Sequence, residues 1–153
     1  MASAAPGAGE LLYEVNMQIT KVTEYGLSLT AFLCGQASPA LEGGRIDVAF
    51  EGTISGPKLK GRVSGIDYIQ IRGDGHPQLH VHAEITTGEG DKIALFADGI
   101  ARPEAGTNLL QIRENITYTT SAAAFVWINR VLGWGQGTVD PARGEIKMKV
   151  NAA

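Results

Sequence analysis

Several residue types are scarce in this chain of 153 residues, and each scarcity excludes a class of protein. The one cysteine, Cys34, cannot form an intrachain disulfide, so the cytoplasm is the expected compartment. Lys and Arg number 13 against 16 Asp and Glu, which gives a net charge of −3 and no basic stripe for nucleic acid. The uncharged apolar runs are shorter than a membrane span requires, so no membrane association is expected.

The start of the chain is not expected to be a secretory signal. Residues 1–9 have neither the basic n-region nor the apolar h-region of a secretory signal. We expect a flexible tail over residues 1–10 and a single domain over residues 11–153. That length is sufficient for one sizeable hydrophobic core.

Glycine, in contrast, is abundant. The 20 glycines are spread along the chain and separate short alternating runs of apolar and polar residues, which is typical of antiparallel β-structure. One helix is predicted over residues 121–132, where Thr120 or Ser121 can cap its start and Gly133 follows its end. The predicted strands cover residues 11–20, 27–33, 45–54, 59–63, 66–72, 78–87, 92–98, 109–119 and 144–150.

These elements predict an all-β fold. Eight to ten short strands without a βαβ pattern favour an antiparallel β-barrel, because closure removes the exposed strand edges. The helix is expected near one end of the barrel, and a two-sheet sandwich is the alternative. Residues 133–137, Gly-Trp-Gly-Gln-Gly, indicate a turn or a flexible strand edge rather than a phosphate-binding loop.

All three histidines lie close together in the middle of the chain. His80, His82 and Glu84 share one face of a predicted strand because they alternate along it. Since histidine titrates near neutral pH, the pair is a candidate for acid–base catalysis or for hydrogen bonding to a ligand. A metal site completed by His76 or Glu84 is a second interpretation. A solvated outer face of the barrel is a third.

Two charged residues precede the histidines. Asp67 is a candidate general base at the barrel mouth, although an acid that caps a turn explains it equally well. Arg72 is a candidate clamp for a carboxylate or enolate oxygen, and its alternative is a surface ion pair with Asp74. Asp98 could face the lumen end of the barrel or cap a turn at the end of its strand, and the turn is the preferred interpretation.

Five further residues are predicted to contact a substrate. Trp127 in the helix and Trp134 just after it could line a pocket at one barrel end, although packing is the commoner role of such a tryptophan. Arg113 could hold an oxyanion, and its neighbour Glu114 points to the opposite face of the strand. Tyr68 and Glu84 complete this set.

Five short motifs occur in order along the chain: Gly-Pro-Lys-Leu-Lys-Gly at residues 56–61, Gly-Ile-Asp-Tyr at 65–68, Arg-Gly-Asp-Gly at 72–75, Ile-Arg-Glu at 112–114 and Trp-Ile-Asn-Arg at 127–130. As an ordered set they resemble the pattern of a known family, domain of unknown function 3237. The likeness covers roughly residues 11–150, nearly the whole chain. The resemblance implies a small antiparallel β-barrel, often a homo-oligomer, with no settled activity.

Three residues depart from that family pattern. Tyr68 stands where the family usually has Trp, and His80 and His82 stand where an acid and an arginine are expected. The histidines are therefore the place to look for a reaction specific to this chain.

The sequence contains no Gly-x-Ser-x-Gly elbow, nucleotide fingerprint or Cys-x-x-Cys pair. We therefore expect a cofactor-free lyase, hydratase or isomerase that acts on a small, largely apolar carbonyl or hydroxyl compound in the barrel. A histidine or Asp67 would move a proton while Arg72 or Arg113 held the developing oxyanion. The alternatives are a non-catalytic binding protein for a hydrophobic metabolite and the histidine metal site.

Overall fold

Eight antiparallel strands close into a barrel in the computed structural model, which describes residues 5–153. Each strand pairs with its neighbours along the chain, and the last strand returns to pair with the first. The predicted all-β barrel is thus confirmed, and the two-sheet sandwich is not formed. The strands are β1 (Leu11–Glu24), β2 (Gly44–Ser55), β3 (Lys60–Ile71), β4 (Pro77–Thr87), β5 (Lys92–Pro103), β6 (Leu110–Thr119), β7 (Gly133–Asp140) and β8 (Glu145–Ala152).

Alternation along each strand decides which residues face the barrel interior. In β2, for example, Ile46, Val48 and Phe50 point inward and are buried, whereas Arg45 and Glu51 point outward. Because successive side chains of a strand lie on opposite faces, this pattern builds an apolar interior from every second residue. The other strands contribute to the same core in this way.

A short helix covers one end of the barrel between β1 and β2. This helix, α1 (Leu29–Leu33), begins at Ser28, whose side-chain oxygen accepts a hydrogen bond from the Ala31 backbone N–H at 3.2 Å. The prediction of a strand over residues 27–33 is therefore wrong. Leu29 and Phe32 are three residues apart, which is the spacing of one helix face, and both pack on the small core around buried Ile46.

The predicted helix after β6 is present, but as a 3₁₀ helix over Ala123–Arg130. It closes the other end of the barrel with Ile128, which is fully buried. The Asn129 side chain fixes its position, because it accepts a hydrogen bond from the Thr120 backbone N–H and donates one to the Thr120 carbonyl oxygen, both at 2.8 Å.

Several strand boundaries differ from the sequence predictions. Of the two interpretations of residues 133–137, the strand holds and the turn does not: they form the first part of β7, in which Gly133, Gly135 and Gly137 point inward. Since three of its four inward positions are glycines and Val139 is the fourth, this strand lacks the apolar alternation that marks the others. The predicted strands 59–63 and 66–72 are one strand, β3. Asp98 does not cap a turn, because β5 continues beyond it to Pro103.

The predicted tail over residues 1–10 divides into two parts. Residues 1–4 lie outside the described residues. At its other end, the Gly9 N–H donates to the Ala152 carbonyl at 2.7 Å, and the Ala152 N–H donates to the Glu10 carbonyl at 2.8 Å. Residues 9 and 10 are thus held against β8. In the part of the chain that the structure describes, no helix is long and apolar enough to cross a membrane.

Gly99 is a point where the barrel wall tolerates no side chain. It pairs with Glu114 between β5 and β6, and a Cβ atom on it would run into the backbone carbonyl oxygen of Arg113. We expect Gly99→Ala to lower the free energy of unfolding by about 2 kcal/mol or more, since backbone cannot move aside as a flexible side chain can. Urea titration measures the loss.

The matched control is Gly88→Ala, because a Cβ atom on Gly88 would contact nothing within 4 Å. Equal stability of the two variants would show that β5 and β6 do not approach each other as described.

Candidate functional site

A cavity of about 260 Å³ lies inside the barrel and extends to the end covered by α1. Its wall is apolar except for Tyr13, Asp67 and Glu114. Small barrels of this kind are suited to holding one small ligand. The apolar lining includes Val15, Met17, Ile19, Leu29, Leu33, Val48, Phe50, Val63, Ile69, Leu79, Val81, Leu95, Ile112, Ile116, Ile146, Met148 and Val150.

Asp67 reaches the cavity from a gap in the barrel wall. The β3–β4 pairing is interrupted between the Asp67–Val81 and Gln70–Gln78 pairs, although the register on both sides is the same. In the gap, the Asp67 Oδ1 atom accepts a hydrogen bond from the His80 backbone N–H at 2.9 Å. The carboxylate thus replaces a missing backbone acceptor. Burial raises the pKa of Asp67 to about 6, against the lowering effect of this hydrogen bond.

Glu114 is the second acid of the cavity and comes from β6. It is buried, and the residues paired with it on the neighbouring strands are Gly99 and Gly135, so no side chain from either partner position crowds it. Burial raises the pKa of Glu114 to about 8, and the negative charges of Asp67 and Asp98 add to the rise. Its carboxyl group is therefore largely protonated at neutral pH.

Two buried tyrosines accompany Glu114. The Tyr13 and Tyr118 hydroxyl oxygens are 2.5 Å apart, and their rings meet edge to face with centroids 6.4 Å apart. Burial raises the pKa of both hydroxyls, and the nearby Glu114 raises them further. Both groups therefore stay protonated, so Tyr13, which lines the cavity, can act as a hydrogen-bond donor.

The two acids differ in protonation state although they share one cavity. At neutral pH Asp67 is mostly ionised and can accept a proton, whereas Glu114 is mostly protonated and can donate one. Two titratable groups whose environments separate their pKa values are the arrangement expected of an acid–base pair. Among the residues that the structure describes, no Lys, Arg or His side chain lines the cavity.

The two predicted arginines lie elsewhere. Arg72 is exposed and pairs with Asp74 at 2.7 Å, which is the surface ion pair that the sequence left open as its alternative. Arg113 points away from the Glu114 face of β6, and its guanidinium donates to the Ile112 carbonyl at 2.8 Å. Of the predicted charged residues, Asp67 alone lies in the cavity wall.

The other polar residues of the predicted cluster lie on the outer face of the barrel. His82 stacks edge to face between Tyr68 and Phe96, with ring centroids 5.7 and 5.3 Å away. Glu84 pairs with Lys92 at 3.1 Å. The His80 side chain also points outward, and its Nδ1 atom is buried without a hydrogen-bond partner.

The structure also places the metal candidates and the two tryptophans. Within residues 5–153, no group of three or more His, Cys, Asp or Glu side chains is arranged to hold a metal ion. His76 pairs with Asp74 at 3.1 Å. Trp127 is buried in the core beside Ile128, and Trp134 lies on the outer face of β7, partly exposed.

Sequence reasoning missed Glu114, Tyr13 and Tyr118 as members of a site. A signal was present, because Ile112, Glu114, Ile116 and Tyr118 share one face of the predicted strand. An acid among apolar residues on an inward face indicates a buried carboxyl group.

Burial of Glu114 also predicts how stability varies with pH. The folded protein holds the Glu114 proton more tightly than the unfolded chain, whose pKa is near 4.5. The contribution of Glu114 to stability is therefore greatest below that value, falls as the pH rises to about 8, and changes little above it. We expect Glu114→Gln to remove part of this fall, on the order of a few kcal/mol, in urea unfolding at pH 5, 7 and 9.

The control for this experiment is Glu51→Gln on the exposed face of β2. Its pH profile should run parallel to that of the unsubstituted protein. A parallel profile for Glu114→Gln as well would contradict the burial of the Glu114 carboxyl group.

Comparison with known proteins supports the fold and gives no activity. A search of curated proteins finds no match. A protein of unknown function from Clostridium acetobutylicum has a TM-score of 0.76 and 20% identity, over 94% of this chain and 97% of that one. A beta-barrel-like protein from Acinetobacter baumannii has a TM-score of 0.73 and 18% identity, over 99% of both chains.

A structure described as an enzyme from Penicillium herquei is also similar. Its TM-score is 0.62 with 18% identity, over 97% of this chain and 98% of that one. At such identities these structures establish a shared fold only. The family is established by a sequence profile, that of the proteins of unknown function DUF3237, which matches residues 34–151. This chain therefore belongs to the DUF3237 family.

Proposed function

We propose that this barrel is a cofactor-free enzyme, a lyase, hydratase or isomerase, that moves a proton on a small, largely apolar carbonyl or hydroxyl compound. The observation that carries the proposal is the pair of acids in an otherwise apolar cavity, with pKa values of about 6 for Asp67 and about 8 for Glu114. Such a cavity holds an acid and a base in the required forms at the same neutral pH.

The proton transfer follows from these two protonation states. The Asp67 carboxylate removes a proton from the carbon next to a carbonyl group, while Glu114 donates its proton to the carbonyl oxygen. The product is an enol. Return of the proton from Asp67 to a different carbon, while Glu114 takes back the enol O–H proton, completes an isomerisation. If the next carbon carries a hydroxyl group, that hydroxyl can instead take the Asp67 proton and leave as water while Glu114 takes back the enol proton, which is a dehydration, the reverse of a hydratase reaction.

The enol oxygen also needs hydrogen-bond donors in this scheme. Tyr13 lines the cavity and stays protonated, so it can donate beside Glu114. In the sequence-based proposal Arg72 or Arg113 held this oxygen. Since both arginines lie outside the cavity, that role passes to Glu114 and Tyr13.

Non-catalytic binding of a hydrophobic metabolite is the rival function, and the apolar character of the wall favours it. The two differ in a measurable way. An enzyme that enolises a ketone exchanges the hydrogens next to the carbonyl for deuterium in D₂O, whereas a binding protein does not.

The test uses phenylacetone and related aryl ketones in D₂O, with the exchange followed by proton NMR. We expect Asp67→Asn to lower the exchange rate by about 10²–10⁴-fold, because Asn cannot take up the proton. Glu114→Gln should also lower the exchange rate, because Gln has no carboxyl proton to donate to the carbonyl oxygen. Glu51→Gln, on the outer face, should leave it unchanged. Exchange that survives both cavity substitutions, or exchange abolished by His82→Ala alone, would contradict the proposal.

The pH dependence of the exchange gives a further prediction. The rate should fall below about pH 6, where Asp67 becomes protonated, and above about pH 8, where Glu114 becomes ionised. A bell-shaped profile between these limits is expected. A profile that only rises with pH would show that Glu114 does not act as an acid.

A further inference from the structure

The cavity carries charge of one sign only. Asp67 and Glu114 are its two ionisable acids, and no cationic side chain within the described residues lines it. The Asp67 carboxylate has one hydrogen bond, from the His80 backbone N–H, and no salt-bridge partner among those residues. Buried charges in proteins are normally paired, so an unpaired carboxylate in an apolar wall is unusual.

Charges outside the wall do not neutralise the site. Asp47, from β2, and Asp98, from β5, face outward and add negative potential, the first at Asp67 and the second at Glu114. The Asp47 carboxylate is itself paired with Arg45 at 2.8 Å. His80 acts in the opposite direction, since it favours ionisation of Asp67.

We propose that the cavity selects its ligand by charge: it admits a neutral molecule or a protonated amine and excludes carboxylates, with Asp67 as the residue that discriminates. The reason is electrostatic, because a ligand carboxylate would bring a second negative charge into a poorly solvated space that offers it no counter-charge. A ligand ammonium group would instead supply the partner that Asp67 lacks.

The volume limits the apolar body of the ligand. A cavity of about 260 Å³ is larger than the roughly 150 Å³ that holds a benzene molecule and smaller than the sites of most drug-sized ligands. One ring with a short polar arm therefore fits. This charge selection deepens the function proposed above and rests on the same cavity, but its test requires no chemical step.

The test compares three probes of nearly equal shape: benzyl alcohol, benzylamine and benzoate. Binding at pH 7.5 is followed through the NMR signal of the Met148 methyl group, which lies in the cavity wall and so reports occupancy of this site. We expect benzyl alcohol to bind, benzylamine to bind at least as tightly, and benzoate to bind at least about tenfold more weakly.

Removal of the Asp67 charge should narrow these differences. Asp67→Asn keeps an oxygen that can accept the His80 N–H, and it should raise benzoate affinity and lower benzylamine affinity while changing the affinity for benzyl alcohol least. Lowering the pH to 5 protonates Asp67 in the unsubstituted protein, while benzoate stays ionised. The affinity for benzoate should therefore also rise at pH 5.

The charge selection is wrong if benzoate and benzyl alcohol bind equally at pH 7.5, if no probe perturbs Met148, or if neither Asp67→Asn nor pH 5 improves benzoate binding. Probe binding in the expected order without deuterium exchange would contradict the enzyme and leave the charge selection standing. Deuterium exchange together with tight benzoate binding would contradict the charge selection and leave the proposed enzyme standing.

Discussion

Removal of two carboxyl groups from water is the interaction on which the rest of this account depends. Asp67 and Glu114 sit in a wall built from alternating apolar residues, and burial is the largest cause of both raised pKa values. In a solvated cleft the same two groups would be ionised together at neutral pH, and neither could donate a proton. The apolar lumen therefore makes the two acids different from each other and from surface carboxylates.

Several local features of the backbone make this burial feasible. The interruption between β3 and β4 frees the His80 N–H for the Asp67 carboxylate, which stabilises the charged form of that group in particular. Glycines at positions 99 and 135 flank Glu114, so its carboxyl group enters the lumen without competition from neighbouring strands. Helix α1 and the 3₁₀ helix cover the two barrel ends and keep the lumen apolar.

The sequence predicted the architecture because most strands alternate clearly. The sequence could also predict an acidic residue on the cavity wall, since Asp67 was a candidate general base. At β7, where three of the four inward residues are glycines, it left a turn and a strand edge both open, and at α1 it failed, because a run of five residues is too short to separate helix from strand.

The histidines show a second limit on what the sequence can predict. The sequence correctly groups His80 and His82 on one strand face, but a cluster of titratable groups does not reveal which face is inside. The apolar residues Leu79, Val81 and Ile85 on the other face decide this, because a small barrel fills its lumen with them. The same reasoning, applied to β6, identifies Glu114 as the inward acid.

The protonation states of the two cavity acids are the central claim, and ¹³C NMR of labelled side-chain carboxyl groups measures them directly. Spectra recorded from pH 4 to 9, with Asp67→Asn and Glu114→Gln used to assign the two signals, give each midpoint. The account predicts midpoints near 6 for Asp67 and near 8 for Glu114. If both groups titrated near pH 4, like exposed carboxylates, the lumen would be solvated and the account would be contradicted.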